Sequence, residues 1–220
     1  MNKLVFVCFA VAAILILAAC GSGASNTPQA VGDAIELMRS AQTALDSGNY
    51  SQAVTDFQAS LAKGKSLDAY FGLGNAYTRQ NNFAEAEKAY QEALKINPNH
   101  TATLSNLGVA LYQQGRLEEA IATFEKALKV SPDDAETHYL LGAAQLQLGK
   151  MNEAEASLLK ALEINKNLPE ARFGLAMLRK VQGRNDDAIA EFEAFLAGPP
   201  AQDPQAKVQA ELMLKELKGQ

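Results

Sequence analysis

The sequence predicts an all-α fold, a right-handed α-solenoid of about five helical hairpins closed by a C-terminal capping helix. Three observations lead there. Small residues recur at a constant interval of 34 positions over most of the chain. Pro and Gly fall singly, at spaced positions, as they do between helices rather than within them. Runs of Val, Ile, Thr and aromatic residues, which mark strands, are missing. A hairpin that repeats at this interval cannot bury its apolar face alone, so the units must stack.

The leader obeys different rules. Lys3 precedes an uninterrupted apolar run of about fourteen residues, Leu4 to Leu17. That is short of the roughly 20 residues a hydrocarbon core requires and fits the apolar region of a secretory signal. The run ends in Leu17-Ala18-Ala19-Cys20, which resembles the lipobox of bacterial lipoprotein signals. The resemblance implies that residues 1–19 are removed and that Cys20 is acylated as the new N-terminus. Cys8 would leave with the leader, so Cys20 would be the single remaining thiol, with no intrachain partner. Residues 20–29 read as the lipidated Cys and a flexible tether. The stretch Gly21–Gln29 has no periodicity, and nine extended residues reach at most about 30 Å. Multiple acyl chains would give a stable membrane anchor. Gly21 stands where an inner-membrane retention signal would have Asp. A cell-envelope location follows, on the outer membrane facing the periplasm if the cell has two membranes.

The repeat is carried by several series in step. Gly74, Gly108 and Gly142 form one, and Leu73, Leu107, Leu141 and Leu175 another. Ala86, Ala120, Ala154 and Ala188 keep the interval, as do Ala93, Ala127 and Ala161, and Leu94, Leu128, Leu162 and Leu196. Pro98 and Pro132 close their units. Large residues hold one further place, as Tyr90, Phe124, Leu158 and Phe192. Period and residue types resemble the tetratricopeptide repeat, a 34-residue helix–turn–helix unit. The resemblance divides the chain into a divergent first unit at 30–66 and further units at 67–100, 101–134, 135–168 and 169–202. The last is also divergent, with Ala176 in place of Gly and Pro199-Pro200 near its end.

Each place has a physical reason. Gly at place eight and Ala at place twenty let the two helices of a hairpin approach closely, and the bulky residue at place twenty-four fills the space between. Gly115, Gly149 and Gly183 end first helices, where a left-handed backbone costs least without a β-carbon. Asn99, Asp133 and Asn167 are expected as N-caps of the helices that follow. In residues 203–220, Asp203-Pro204 reads as a helix start. Ala210, Met213, Leu214 and Leu217 then form an apolar stripe opposite Lys207, Glu211, Lys215 and Lys218, as a cap requires.

Little in the chain suggests chemistry. Net charge is −5, from 20 Lys+Arg against 25 Asp+Glu, which gives no electrostatic ground for nucleic acid. His100 and His138 lack Cys or His at ligand spacing, so no metal site and no cofactor are expected. No nucleophile motif or phosphate-binding glycine loop occurs. Acidic residues at second-helix starts, such as Glu118 and Glu119, complement the helix dipole. No catalytic residue is expected.

The resemblance places function on the concave groove lined by first helices, and there a protein partner, as an extended peptide or a helix, would bind. The residues it points to are Phe71, Asn75, Thr78, Arg79, Ser105, Asn106, Val109, Tyr112, Gln113, Tyr139, Leu146, Gln147 and Phe173. Some tetratricopeptide domains grip a C-terminal carboxylate through Lys and Asn at places five and nine, Asn at place six of the next unit, and Lys and Arg at places two and six of the third. Here those places hold Phe71, Asn75, Asn106, Glu136 and Leu140, so the amides are present and the cations are not. A clamp of that kind is not expected. The function expected is that of a membrane-anchored adaptor or assembly scaffold of the cell envelope. A pilus- or secretin-assembly lipoprotein is a narrower version resting on fold and anchor alone. Self-association, end to end or as dimers, is the alternative from another class.

Overall fold

The computed structural model describes residues 28–201 and 203–219. The expectations for residues 1–27, including cleavage before Cys20 and its acylation, lie outside the described residues. Eleven α-helices run through those described: α1 (Pro28–Asp46), α2 (Tyr50–Lys63), α3 (Leu67–Arg79), α4 (Phe83–Ile96), α5 (Thr101–Gln113), α6 (Leu117–Val130), α7 (Ala135–Gln147), α8 (Met151–Ile164), α9 (Pro169–Val181), α10 (Asn185–Ala197) and α11 (Pro204–Leu217). Each packs chiefly on its neighbours in the chain, and the first helices of successive hairpins also touch, α1 on α3, α3 on α5, α5 on α7 and α7 on α9. The result is an all-α solenoid.

The seam of each hairpin follows from its smallest and largest residues. A β-carbon on Gly108 would lie 2.5 Å from the Phe124 ring, and one on Gly142 would lie 2.9 Å from Leu158. Gly74 faces Tyr90 in the same way. The rings themselves are wholly buried, as are Ala86, Ala120 and Ala154 across the seam. Packing between units uses the same device, since Gly72 at place six gives room to Phe57 of the preceding hairpin.

Between helices, Gly115, Gly149 and Gly183 adopt φ of +75°, +77° and +73°, as expected of residues that end a helix in the left-handed region. The second unit uses Asn81 instead, at φ +59°, the residue type that tolerates this region best after Gly.

Two local expectations need correction. Helix α1 begins at Pro28, so residues 28 and 29, read above as tether, are helical. The N-caps stand one residue later than expected, at His100, Asp134 and Leu168. His100 Nδ1 accepts from the Thr103 N–H, and Asp134 accepts from the N–H groups of Glu136 and Thr137. Leu168 offers no side-chain bond, but Pro169 in the first turn has no N–H to satisfy. The backbone N–H groups of Asn99 and Asn167 are instead taken up by the side chains of Asn97 and Asn165, inside the turns.

At the C-terminal end, Asp203 caps α11 by accepting from Gln205 N–H. Ala206 and Ala210 are buried against α10, and Met213, Leu214 and Leu217 pack on the same cluster around Phe192 and Phe195. Lys218, expected on the outer face, reaches back to Glu193 at 2.6 Å.

Gly108→Ala is the sharpest test of the seam. The added methyl group would lie 2.5 Å from the wholly buried Phe124 ring, and overpacking of this sort costs about 1–3 kcal/mol. The urea unfolding midpoint should fall accordingly, and Gly108→Ala combined with Phe124→Leu should recover part of the loss.

Candidate functional site

The first helices of three consecutive hairpins, α1, α3 and α5, line a cleft of about 660 Å³. Its walls are Gln42, Leu45, Asp46 and Tyr50 from the first hairpin, with Asn75, Thr78 and Arg79 from the second. Asn106 and Val109 close it from the third, and Tyr90 lies at its floor.

A hydrogen-bond chain orders that floor. The Tyr90 hydroxyl donates to Asn75 Oδ1 at 2.8 Å, and Asn106 Nδ2 donates to the same oxygen at 2.8 Å. Thr78 Oγ1 donates to the Gly74 carbonyl and lies 3.1 Å from the Tyr90 hydroxyl. Two donors on one oxygen settle the orientation of both amides. The Asn75 amide nitrogen and the Asn106 carbonyl oxygen have no hydrogen-bond partner among the described residues, on either side of the shared bond. The cleft therefore offers amide N–H donors on Asn75 and an acceptor carbonyl on Asn106, from adjacent hairpins.

Tyr90 joins this polar floor to the core. Its ring is fully buried against Gly74 while its hydroxyl belongs to the chain. Burial pushes the hydroxyl pKa up to about 12, and the neighbouring Thr78 and Asn106 side chains oppose only part of that rise. Arg79 stands exposed at the rim and forms no salt bridge with a described carboxylate. Gln42 Nε2 donates to Asp46 Oδ1 at 2.8 Å on the facing wall.

Val109 passes the surface on to a smaller notch of about 150 Å³, lined by Tyr112, Gln113, Phe124, Tyr139, Leu140 and Ala143. The Tyr139 hydroxyl pKa is raised, first by burial and then by the negative charge of Glu170.

The sequence-predicted residues thus divide. Asn75, Thr78, Arg79, Asn106 and Val109 come together in the cleft, and Val109, Tyr112, Gln113 and Tyr139 in the notch. Leu146 packs against the cluster around Leu158 and Leu175, while Gln147 is exposed. Three turn inward. Ser105 is buried, its hydroxyl 2.8 Å from that of Thr137. Phe71 sits against Tyr90 and edge-on to His100, with ring centroids 6.2 and 5.4 Å away. Phe173 packs on Phe192 and Phe195 at 5.9 and 5.4 Å. Cys20 lies outside the described residues.

Sequence reasoning missed Gln42, Leu45, Asp46 and Tyr90. The first three hold places nine, twelve and thirteen of the first unit once its one-residue shift is applied, so the register itself could have found them. Tyr90 was expected only as core, although it carries the one hydroxyl in its series. Among the described residues, no three His, Cys, Asp or Glu side chains gather as metal ligands. No described helix is long and apolar enough to cross a membrane.

Comparison with known proteins agrees with this architecture. Family models described as tetratricopeptide repeat match residues 38–101, 89–122 and 135–168, and one described as TPR repeat matches 108–149. No curated protein matches the chain. Among solved structures, TTC0263, a thermophilic TPR protein of Thermus thermophilus, is 27% identical with a TM-score of 0.66, over 82% of this chain and 98% of that one. PilF of Pseudomonas aeruginosa is 22% identical with a TM-score of 0.71, over 86% and 90%. MamA, from residue 41 to its end, of Desulfovibrio magneticus RS-1 is 19% identical with a TM-score of 0.70, over 75% and 94%. The last two likenesses concern the fold alone.

The raised Tyr90 pKa has a consequence for stability. Below about pH 10 the hydroxyl is protonated in both folded and unfolded chains. Between about pH 10 and 12 only the unfolded chain releases the proton, so stability falls as pH rises, by roughly 2–3 kcal/mol from this group. Urea unfolding across this range should show a steeper loss for the native chain than for Tyr90→Phe.

Proposed function

Since the chain belongs to the tetratricopeptide repeat family, we propose that it is a protein-interaction scaffold, held to a bacterial envelope membrane by acylated Cys20, that binds an extended peptide in its cleft. The family models, which together run from residue 38 to 168, support the scaffold. The motif Leu17-Ala18-Ala19-Cys20 supports the anchor.

The reading rests on one observation, the pair of oriented amides on Asn75 and Asn106. A peptide unit carries a C=O and an N–H and can meet that donor and acceptor, whatever its side chains. Affinity then comes from main-chain bonds, and selection comes from the ends of the surface. Arg79 favours an acidic side chain or a carboxylate at one end. The notch between Tyr112 and Tyr139 admits an apolar side chain at the other. This is recognition without the cationic clamp, because Phe71, Glu136 and Leu140 occupy three of its places.

Two measurements test the two halves separately. A photoreactive residue at Tyr112 in the full-length protein in cells should crosslink to a discrete protein partner. Loss of both amides in Asn75→Ala with Asn106→Ala should weaken that capture about tenfold, taking about 0.5–1.5 kcal/mol for each hydrogen bond. Crosslinks that persist unchanged would remove the cleft from the proposal. For the anchor, the N-terminal peptide should carry the mass of acyl chains on Cys20, and Cys20→Ser should move the protein to the soluble fraction. An unmodified Cys20 would remove the anchor and leave the scaffold standing.

A further inference from the structure

The first helix is longer than its counterparts. Helix α1 has 19 residues, whereas α3, α5, α7 and α9 have 13 each. Its C-terminal end is in step with theirs, because Asp46 holds place thirteen and lines the cleft as Arg79 does. The excess is therefore all at the N-terminal end. There the ties to α2 stop early, the last being the Ser60 hydroxyl on the Ala34 carbonyl at 3.0 Å and Lys63 with Asp33 at 3.9 Å.

On this end Val31 and Ile35 are 48% and 53% exposed. Four residues apart, they project from nearly the same side of the helix. The acids of the same segment do not share that side. Asp33 and Glu36 stand at least about 100° round the helix from Ile35, at 100° per residue. They line a separate surface with Leu37, Ser40 and Lys63. Val31 and Ile35 thus form a short apolar edge, followed on the same side by the exposed Arg39 one turn on.

The length of chain before α1 says what that edge meets. From Cys20 to Pro28 is eight residues, at most about 28 Å when extended. With lipid on Cys20, the start of α1 cannot leave the neighbourhood of the bilayer. A weak apolar contact made there is intramolecular, at high effective concentration, and needs little area to persist.

We propose that the N-terminal end of α1 is a membrane-contact edge, which lays Val31 and Ile35 into the interfacial layer of the bilayer that carries the Cys20 lipid. The inference rests on the acylation proposed above. It adds a second point of attachment, which gives the solenoid a fixed orientation at the surface.

The chain contains no Trp, so Ile35→Trp and Val208→Trp each provide a single fluorescent probe, at α1 and at the far end on α11. The chain from Cys20 onward, which contains every described helix, is coupled through its one thiol to maleimide-headgroup lipid in phosphatidylcholine vesicles. Chemical coupling makes the result independent of whether cells acylate Cys20, which the mass measurement above decides. The Ile35→Trp emission should shift to the blue and be quenched by brominated acyl chains at least about twice as strongly as Val208→Trp. Equal and unshifted emission from the two probes would overturn the proposal. A blue shift without quenching would also overturn it, and would assign the edge to a protein neighbour.

Discussion

The structure depends on the contact between a glycine and the large side chain that takes the place of its missing β-carbon. Gly74 with Tyr90, Gly108 with Phe124 and Gly142 with Leu158 set how closely the two helices of a hairpin lie. That separation, repeated, sets the spacing of the first helices. Their spacing decides whether Asn75 on α3 and Asn106 on α5 can share one hydrogen bond at 2.8 Å. The cleft is thus a consequence of packing several residues away. Tyr90 makes the dependence explicit, because one side chain fills the seam and orders the polar floor. Phe124, Leu158 and Phe192 fill the equivalent position without a hydroxyl, so no other unit can build the same floor.

Much of this was legible in the sequence because it is periodic. A residue type that recurs at one interval reports a constraint shared by every unit, as Gly115, Gly149 and Gly183 do with their positive φ. What was not legible is what happens once. The turns show this well. Asp133 and Asp134 are chemically equal candidates for a cap, and only geometry decides that Asp134 reaches Glu136 and Thr137 N–H. In the preceding turn Asn97 accepts from Asn99 N–H, which ties that region into the turn and leaves His100 beside the helix start.

The groove was legible to a lesser degree for a related reason. Place five was expected to face the partner, yet Phe71, Ser105 and Phe173 turn inward. Each finds a contact from a distant part of the chain, His100 for Phe71, Thr137 for Ser105 and Phe195 for Phe173. An aromatic ring or hydroxyl near an inter-unit boundary gains more from such a neighbour than from water. The amides at places nine and six stay at the surface because their bonds are made to each other and to Tyr90, at the edge of the core. The same non-periodic logic governs the outer clips. Arg116 joins Glu87 at 2.6 Å and Arg184 joins Glu155 at 2.7 Å, across the boundary between successive units. The intervening unit has Ile121 and Lys150 at those places and forms no such pair.

These elements are ordered along the chain in a way that bears on the proposed role. Gln42 and Asp46, which wall the cleft, lie on the same helix as Pro28, about 21–27 Å along it at 1.5 Å per residue. From Cys20 to Pro28 is eight residues, a span of at most about 28 Å. The α1 wall of the cleft then lies within roughly 55 Å of Cys20, whatever the angle between the two segments. The later hairpins and α11 extend from there. With Cys20 acylated as proposed, the anchor and the cleft would stand at the same end, and the groove would lie near the bilayer. The notch between the third and fourth hairpins lies further along the array, where it would meet the chain proposed to bind. A scaffold of the proposed kind, arranged in this order, would select partners whose recognised segment itself lies close to a membrane, which a freely diffusing array of the same repeats would not do.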